Sequence, residues 1–201
     1  MGERAEEIHA RALAAADGEG RLPPPPVHEW ETFPFEAPLR VRPLRPPADE
    51  PPRLGEDAAD CWRCRLGDAD AIWSDERWLL TPAGERPTGL PLVVILQPRA
   101  HADIEGLDEV HVADLGPLLV RTERAVRAAG EIGRVHIGRW GDGSFHFHVW
   151  FIARPARLPQ LRTSFAAIWD DILPPTPEPV WRANLASAAR ALAEGGGRAH
   201  V

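Results

Sequence analysis

Gly143-Ser144-Phe145-His146-Phe147-His148-Val149-Trp150-Phe151 alternates along its whole length between two kinds of side chain. In extended backbone, successive side chains face opposite ways, so Phe145, Phe147, Val149 and Phe151 share one side and Ser144, His146, His148 and Trp150 the other. The first set is a core-packing surface. The second brings two imidazoles roughly 7 Å apart along a strand, close enough to share a site.

Working outward, the pattern predicts strands over 135–140 and 144–153, joined in a hairpin around Gly141-Asp142-Gly143. Upstream, 108–129 repeats Val112, Leu115, Leu119, Thr122 and Val126 at helical spacing, with Gly116-Pro117 expected to kink or divide that helix. Residues 72–81 and 90–97 read as two more strands, the second so apolar that both of its faces should be covered. Two helices follow the histidines. The first, over 158–172, carries Leu161, Phe165, Ile168 and Ile172, and the second, over 177–193, carries Trp181, Leu185 and Leu192. Gly195-Gly196-Gly197 reads as a frayed end. The element order gives an α+β class, an antiparallel sheet of about five strands with packed helices.

The N-terminal part is different. Residues 1–22 hold an appended helix, over 2–17, that stops at Gly18-Glu19-Gly20, and 23–56 form a proline-rich extended arm. Trp30, Phe33 and Phe35 in that arm should pack on the domain or on a second subunit. The core domain is expected over 57–157 and a helical extension over 158–201.

Thirty acidic against 23 basic residues give a net charge of −7, and every basic residue is arginine, so a nucleic-acid groove is not expected. There is neither a long apolar span nor a basic, apolar leader at Met1, so no membrane partner and a cytoplasmic location are expected.

The two cysteines, Cys61 and Cys64, are too few for a disulfide scaffold, which leaves a redox pair or half of a metal site. Zinc favours four soft or borderline ligands, and a Cys-x2-Cys turn supplies two of them. Among the histidines outside the tails and the 108–129 helix, His101 follows the Gln97-Pro98-Arg99-Ala100 turn at the end of an apolar strand, and His146 opens the alternating segment. Cys61, Cys64, His101 and His146 are therefore the candidate ligands of a zinc ion. His136 is expected to pack or hydrogen-bond within its strand.

Over residues 60–155 this order of motifs resembles the histidine triad (HIT) superfamily and, more distantly, the galactose-1-phosphate uridylyltransferases. The resemblance implies the same four zinc ligands and makes His148 the nucleophile of a nucleotide hydrolase or transferase. Such an enzyme would cleave a phosphoanhydride, phosphoramidate or phosphodiester bond through a nucleotidyl-histidine. Phosphate oxygens would then be met by Ser144 and by backbone amides of Gly141, Asp142 and Gly143, with Arg139 as an ionic partner. Trp150 departs from the pattern. Family hydrolases carry a third histidine there and the uridylyltransferase branch a glutamine, whereas an indole cannot relay a proton. Trp150 could instead stack on a base, so a zinc-stabilised nucleotide-binding module stands as the alternative, with a CxxC thiol oxidoreductase as a third reading. The resemblance and the aromatic arm together make a homodimer an expectation.

Overall fold

The structure is a computed structural model that describes residues 3–201, without the side chain of His28. Gly2, the first residue of the expected N-terminal helix, lies outside the described residues, as does Met1. The chain forms two units, one up to Pro51 and one over Pro52–Val201.

The first unit holds helix α1, Ala5–Ala14, followed by a proline-rich run whose regular structure is one 3-10 turn, Pro26–Glu29. Proline lacks the amide that helices and ladders need, so the backbone bonds of this run are local, Trp30 N to Val27 O at 3.1 Å and Phe33 N to Trp30 O at 2.9 Å, and side-chain contacts add to them. Arg21 donates to the Val41 carbonyl at 3.1 Å, and Phe33 meets Phe35 edge to face with centroids 5.7 Å apart.

In the second unit six strands form one antiparallel sheet: β1 Trp73–Ser74, β2 Trp78–Pro82, β3 Leu92–Pro98, β4 Ile132–Gly138, β5 Val149–Pro155 and β6 Arg198–Ala199. Their spatial order is β4-β5-β3-β2-β1-β6. Three helices accompany them, α2 Glu109–Arg127, α3 Ala166–Ile172 and α4 Glu178–Ala193. The expected α+β architecture is present, with six strands rather than five.

Each departure in the count has a local cause. The stretch 72–81 is two strands, because the Asp75 carboxylate accepts from the amides of Arg77 and Trp78 at 2.8 and 2.7 Å and turns the chain back. The glycines near the C-terminus are not frayed. Gly196 and Gly197 take positive φ, +111° and +79°, and aim β6 at β1, where the His200 amide donates to Ile72 O at 2.8 Å. A Cβ at Gly197 would sit 2.4 Å from the Trp73 ring. Gly197→Ala is accordingly expected to cost about 2 kcal/mol or more, from ring clash plus backbone strain, read as a lowered urea midpoint.

One sheet face carries Trp78, Leu80, Val94, Leu96, Val149 and Phe151 against Leu118, Val126, Trp181 and Leu185 of α2 and α4. All seven residues of β3 are buried, as its unbroken apolar run implies. Helix α2 is continuous through Pro117. That residue is exposed, so water can take the carbonyl its missing amide leaves free. Of the expected stripe of α2, Thr122 and Val126 are buried and Leu115 and Leu119 pack partly buried against the core, whereas Val112 is exposed and His111, Leu118 and Ala125 complete the buried face. The helix expected over 158–172 is a 3-10 turn, Pro159–Leu161, and then α3, separated at Thr163 by a φ of +67°. Of its expected stripe Leu161 is buried, whereas Ile168 and Ile172 are exposed. The opposite sheet face is covered only in part, by Leu161, Trp169 and Leu173 over Val93 and Ile152.

Candidate functional site

At one end of β3 and β5 three segments converge. Cys61 and Cys64 lie in a 3-10 turn, Trp62–Arg65 with Cys61 before it; His101 follows β3; His146 precedes β5. Their four potential ligand atoms all fall within 4.8 Å of one another. The Cys61 sulfur is 3.5 Å from His146 Nδ1, and the Cys64 sulfur is 3.4 Å from His146 Nδ1 and 3.2 Å from His101 Nδ1. An ion with metal–sulfur bonds of ~2.3 Å and metal–nitrogen bonds of ~2.05 Å in a tetrahedron sets sulfur–nitrogen edges of about 3.5 Å, so the donor set fits such an ion. Both imidazoles are oriented for it. His146 Nε2–H donates to the Pro98 carbonyl at 2.9 Å and His101 Nε2–H to the Glu56 carbonyl at 3.3 Å, which leaves each Nδ1 lone pair toward the sulfurs.

The surroundings close this cluster. Cys61 and His146 are buried, and Phe145 stacks on His101 with centroids 5.1 Å apart. Residues 53–55 run beside 143–145: Leu54 N donates to Gly143 O at 3.1 Å and Phe145 N to Leu54 O at 3.0 Å. A Cβ at Gly55, whose φ is +71°, would lie 3.1 Å from the Cys61 sulfur, so glycine lets this strap pass. As a bare thiol Cys64 is pushed up to about 11, mainly by burial and then by its bond to Cys61.

The strap explains why no tight hairpin forms. Ser144 bridges Leu54 in parallel and the Phe147 amide donates to Ala102 O at 2.7 Å, so 144–148 satisfies its backbone outside the β4–β5 ladder. β5 therefore begins at Val149, and Gly138 opposite Trp150 ends β4. The alternation survives from Phe147 onward, whereas Phe145, expected on the core-packing side, is only partly buried and lies against His101 and Arg53. Phe147, Val149 and Phe151 join the main core, while Trp150 packs on the other face.

His148 is 4% exposed. Its Nδ1–H donates to the His146 carbonyl at 2.8 Å, which leaves the lone pair on Nε2. Burial lowers its pKa below the ordinary histidine value, offset in part by that bond. The Trp150 ring lies beside it, centroids 6.3 Å apart, and Trp140 meets Trp150 edge to face at 6.3 Å. A slot of about 250 Å³ opens by the two indoles, lined by Val93, Trp140, Trp150, Ile152, Ala167, Asp170 and Asp171, and His148 is not part of its lining.

Among the residues expected to meet phosphate, Ser144 is partly exposed and Asp142 and Gly143 are exposed. The Gly141 and Gly143 carbonyls accept from Arg53 and Leu54. Arg139 is ion-paired with Asp103, which also binds Arg53 at 2.6 Å. His136 stands on β4 with Nε2 buried and unpartnered, its pKa lowered by burial and then by Arg154.

Sequence reasoning missed Arg63. Between the two cysteines it reads as spacer, yet it is 5% exposed and donates to Gln97 Oε1 at 2.6 Å. Gln97 and His148 are the next residues past the Leu96–Val149 pair of β3 and β5. Burial pushes the Arg63 guanidinium down to about 10, so it stays charged at neutral pH.

No protein-family model and no curated protein matches the chain. Solved structures do resemble it. A zinc-bound histidine triad family protein from Mycobacterium smegmatis is 23% identical, over 69% of this chain and 99% of that one, with a TM-score of 0.49. A hypothetical histidine triad nucleotide-binding protein from Sulfolobus tokodaii is 16% identical over 67% and 93%, with a TM-score of 0.47. A uridylyltransferase is 16% identical over 67% of this chain and 45% of its own, with a TM-score of 0.44. Among the described residues, no helix is long and apolar enough to cross a membrane.

Proposed function

We propose that this chain is a nucleotide hydrolase or nucleotidyltransferase in which His148 attacks the α-phosphorus and Cys61, Cys64, His101 and His146 hold a zinc ion. What carries the reading is the orientation of His148: with Nδ1–H committed to the His146 carbonyl at 2.8 Å, Nε2 keeps the lone pair in a ring that burial favours as neutral. The bound ion supplies rigidity and no reacting group, because it fixes His146, whose carbonyl orients His148.

In the reaction, a bond forms from His148 Nε2 to phosphorus while the bond from phosphorus to the leaving group breaks, and the electron pair departs with the leaving group. Water then hydrolyses the nucleotidyl-histidine and the lone pair returns to Nε2. Ser144 and the amides of Gly141, Asp142 and Gly143 are the proposed donors to the phosphate oxygens, with Arg139 beyond them. Trp140 and Trp150 would take the base in their slot.

A specific observation favours the second reading, a nucleotide-binding module without turnover. The indole N–H of Trp150, beside His148, is far too weakly acidic to protonate a leaving group, and His148 is itself almost covered. The test is incubation with a diadenosine polyphosphate or a fluorogenic adenosine phosphoramidate, rapid quenching, and intact mass measurement. The enzyme reading expects an adduct one nucleotidyl group heavier, mapped to His148 and absent from His148→Ala. Nucleotide binding with neither adduct nor turnover selects the module.

A further inference from the structure

The nucleotide reading accounts for the histidines and the tryptophan slot but leaves a buried positive charge unused. Arg63 is 5% exposed, its Nε is buried and without a partner, and among the described residues it forms no ion pair with a carboxylate. It touches the neutral Gln97 side chain at 2.6 Å and the Trp62 ring, with the guanidinium 4.6 Å from its centroid, and the negative group that acts on it is the Cys61 sulfur, whose charge a bound ion would take up. A charge held this way forfeits hydration that a neutral amide does not replace, and an anionic ligand would. Arg63 also lines a cavity of about 400 Å³ with Trp62, Thr81 and Ile95 and with the carboxylates of Asp70 and Glu85.

The sheet register relates this cavity to the slot. Thr81 pairs with Ile95, and Ile95 pairs with Trp150, so one cross-strand row runs from the Arg63 cavity to the tryptophan slot on a single sheet face. His148 and Gln97 lie just past that row, on the strands between the two. A ligand with its ring at Trp150 and its α-phosphorus at His148 would carry its next group toward Arg63.

We propose that Arg63 binds a phosphoryl group beyond the α-phosphorus, so that the substrate is a nucleoside polyphosphate or dinucleoside polyphosphate with an anionic leaving group. The inference rests on the reading of the site as nucleotide-binding. It fits the tryptophan at position 150. A departing amine needs a proton, whereas a departing phosphate or nucleotide is stable as an anion and is stabilised further by a guanidinium.

The test measures calorimetric binding of AMP, ADP and inorganic pyrophosphate to the metal-loaded full chain, for wild type, Arg63→Gln and Arg63→Lys. Metal content and near-UV circular dichroism are recorded for each protein, so that a misfolded variant is recognised. Wild type is expected to bind ADP about tenfold more tightly than AMP, the size of one charge-assisted contact. That gap should vanish in Arg63→Gln, with AMP affinity unchanged, and return in part in Arg63→Lys. An undiminished gap in Arg63→Gln overturns the inference, and so does equal weakening of both nucleotides, which would place Arg63 on the α-phosphate. If only pyrophosphate binds, and does so through Arg63, the anion site stands while the nucleotide reading fails. If no probe binds to wild type, both fail.

Discussion

A strong chelator, or Cys64→Ser, is expected to lower the melting temperature by about 8–16 °C, from a loss near 4 kcal/mol at ~2–4 °C per kcal/mol for a chain of this size. Structural zinc in small domains can contribute roughly 10–16 kcal/mol because nothing else holds them. Here the sheet with α2 and α4 forms a core of its own, with Trp73, Trp78 and Phe151 fully buried, so a bound ion would stabilise one end rather than the whole. That end is the 3-10 turn at Cys61, the loop holding His101 and the segment before β5. Without the ion, two thiols and two imidazoles are left with S–H to nitrogen contacts of 3.2–3.5 Å, which are weak hydrogen bonds. Limited proteolysis should then cut within 52–66 before it cuts the helices.

The effect has a pH sign. The Cys64 thiol, pushed up to about 11 when bare, must release its proton to bind, so protons compete with the ion and chelation should be easier at pH 6 than at pH 8. Elemental analysis of the purified protein identifies the ion. Protein that carries no stoichiometric metal, and melts at the same temperature with and without chelator, would remove the metal centre from the account.

How far these residues were legible depends on what kind of signal each leaves. The His146–His148 spacing is a period-two pattern, and the structure keeps its core side from Phe147 onward, whereas Phe145 lies against His101 and only the part from Val149 onward is in the ladder. The Cys-x2-Cys turn and a histidine after a strand are recognisable because coordination chemistry restricts residue type, and the fold does bring those four side chains together. Arg63 left no such signal, since a charge in a two-residue spacer looks exposed until the fold lays it against Gln97. β6 was hidden for a related reason. A glycine run reads as loose chain, and only the Trp73 ring beside Gly197 shows that small size and positive φ were both required. In α2, His111 occupies a buried place that a hydrophobic pattern assigns elsewhere, because its Nδ1 is paired with the Asp108 carboxylate at 2.7 Å.

His148→Ala is expected to reduce turnover at least about a thousandfold, as removal of other covalent nucleophiles does. Binding of AMP should change by much less, because the tryptophan slot and the phosphate donors remain. The substitution also removes a buried ring and its 2.8 Å bond, at a cost of roughly 1–3 kcal/mol, so His148→Gln is the companion variant, retaining bulk and a donor without a nucleophilic nitrogen. A pH profile separates chemistry from folding. The reactive form is the neutral ring, and burial lowers the His148 pKa, so protonation and loss of rate set in at a lower pH than for a free imidazole. The acid limb of the rate should therefore lie below about 6.5, the ordinary histidine value, with rate rising through it as pH increases. A limb above that value would mean that a neighbouring anion, not burial, governs the ring. Turnover that survives in both variants would place the nucleophile elsewhere, since an alanine or an amide at 148 offers phosphorus no lone pair of comparable strength.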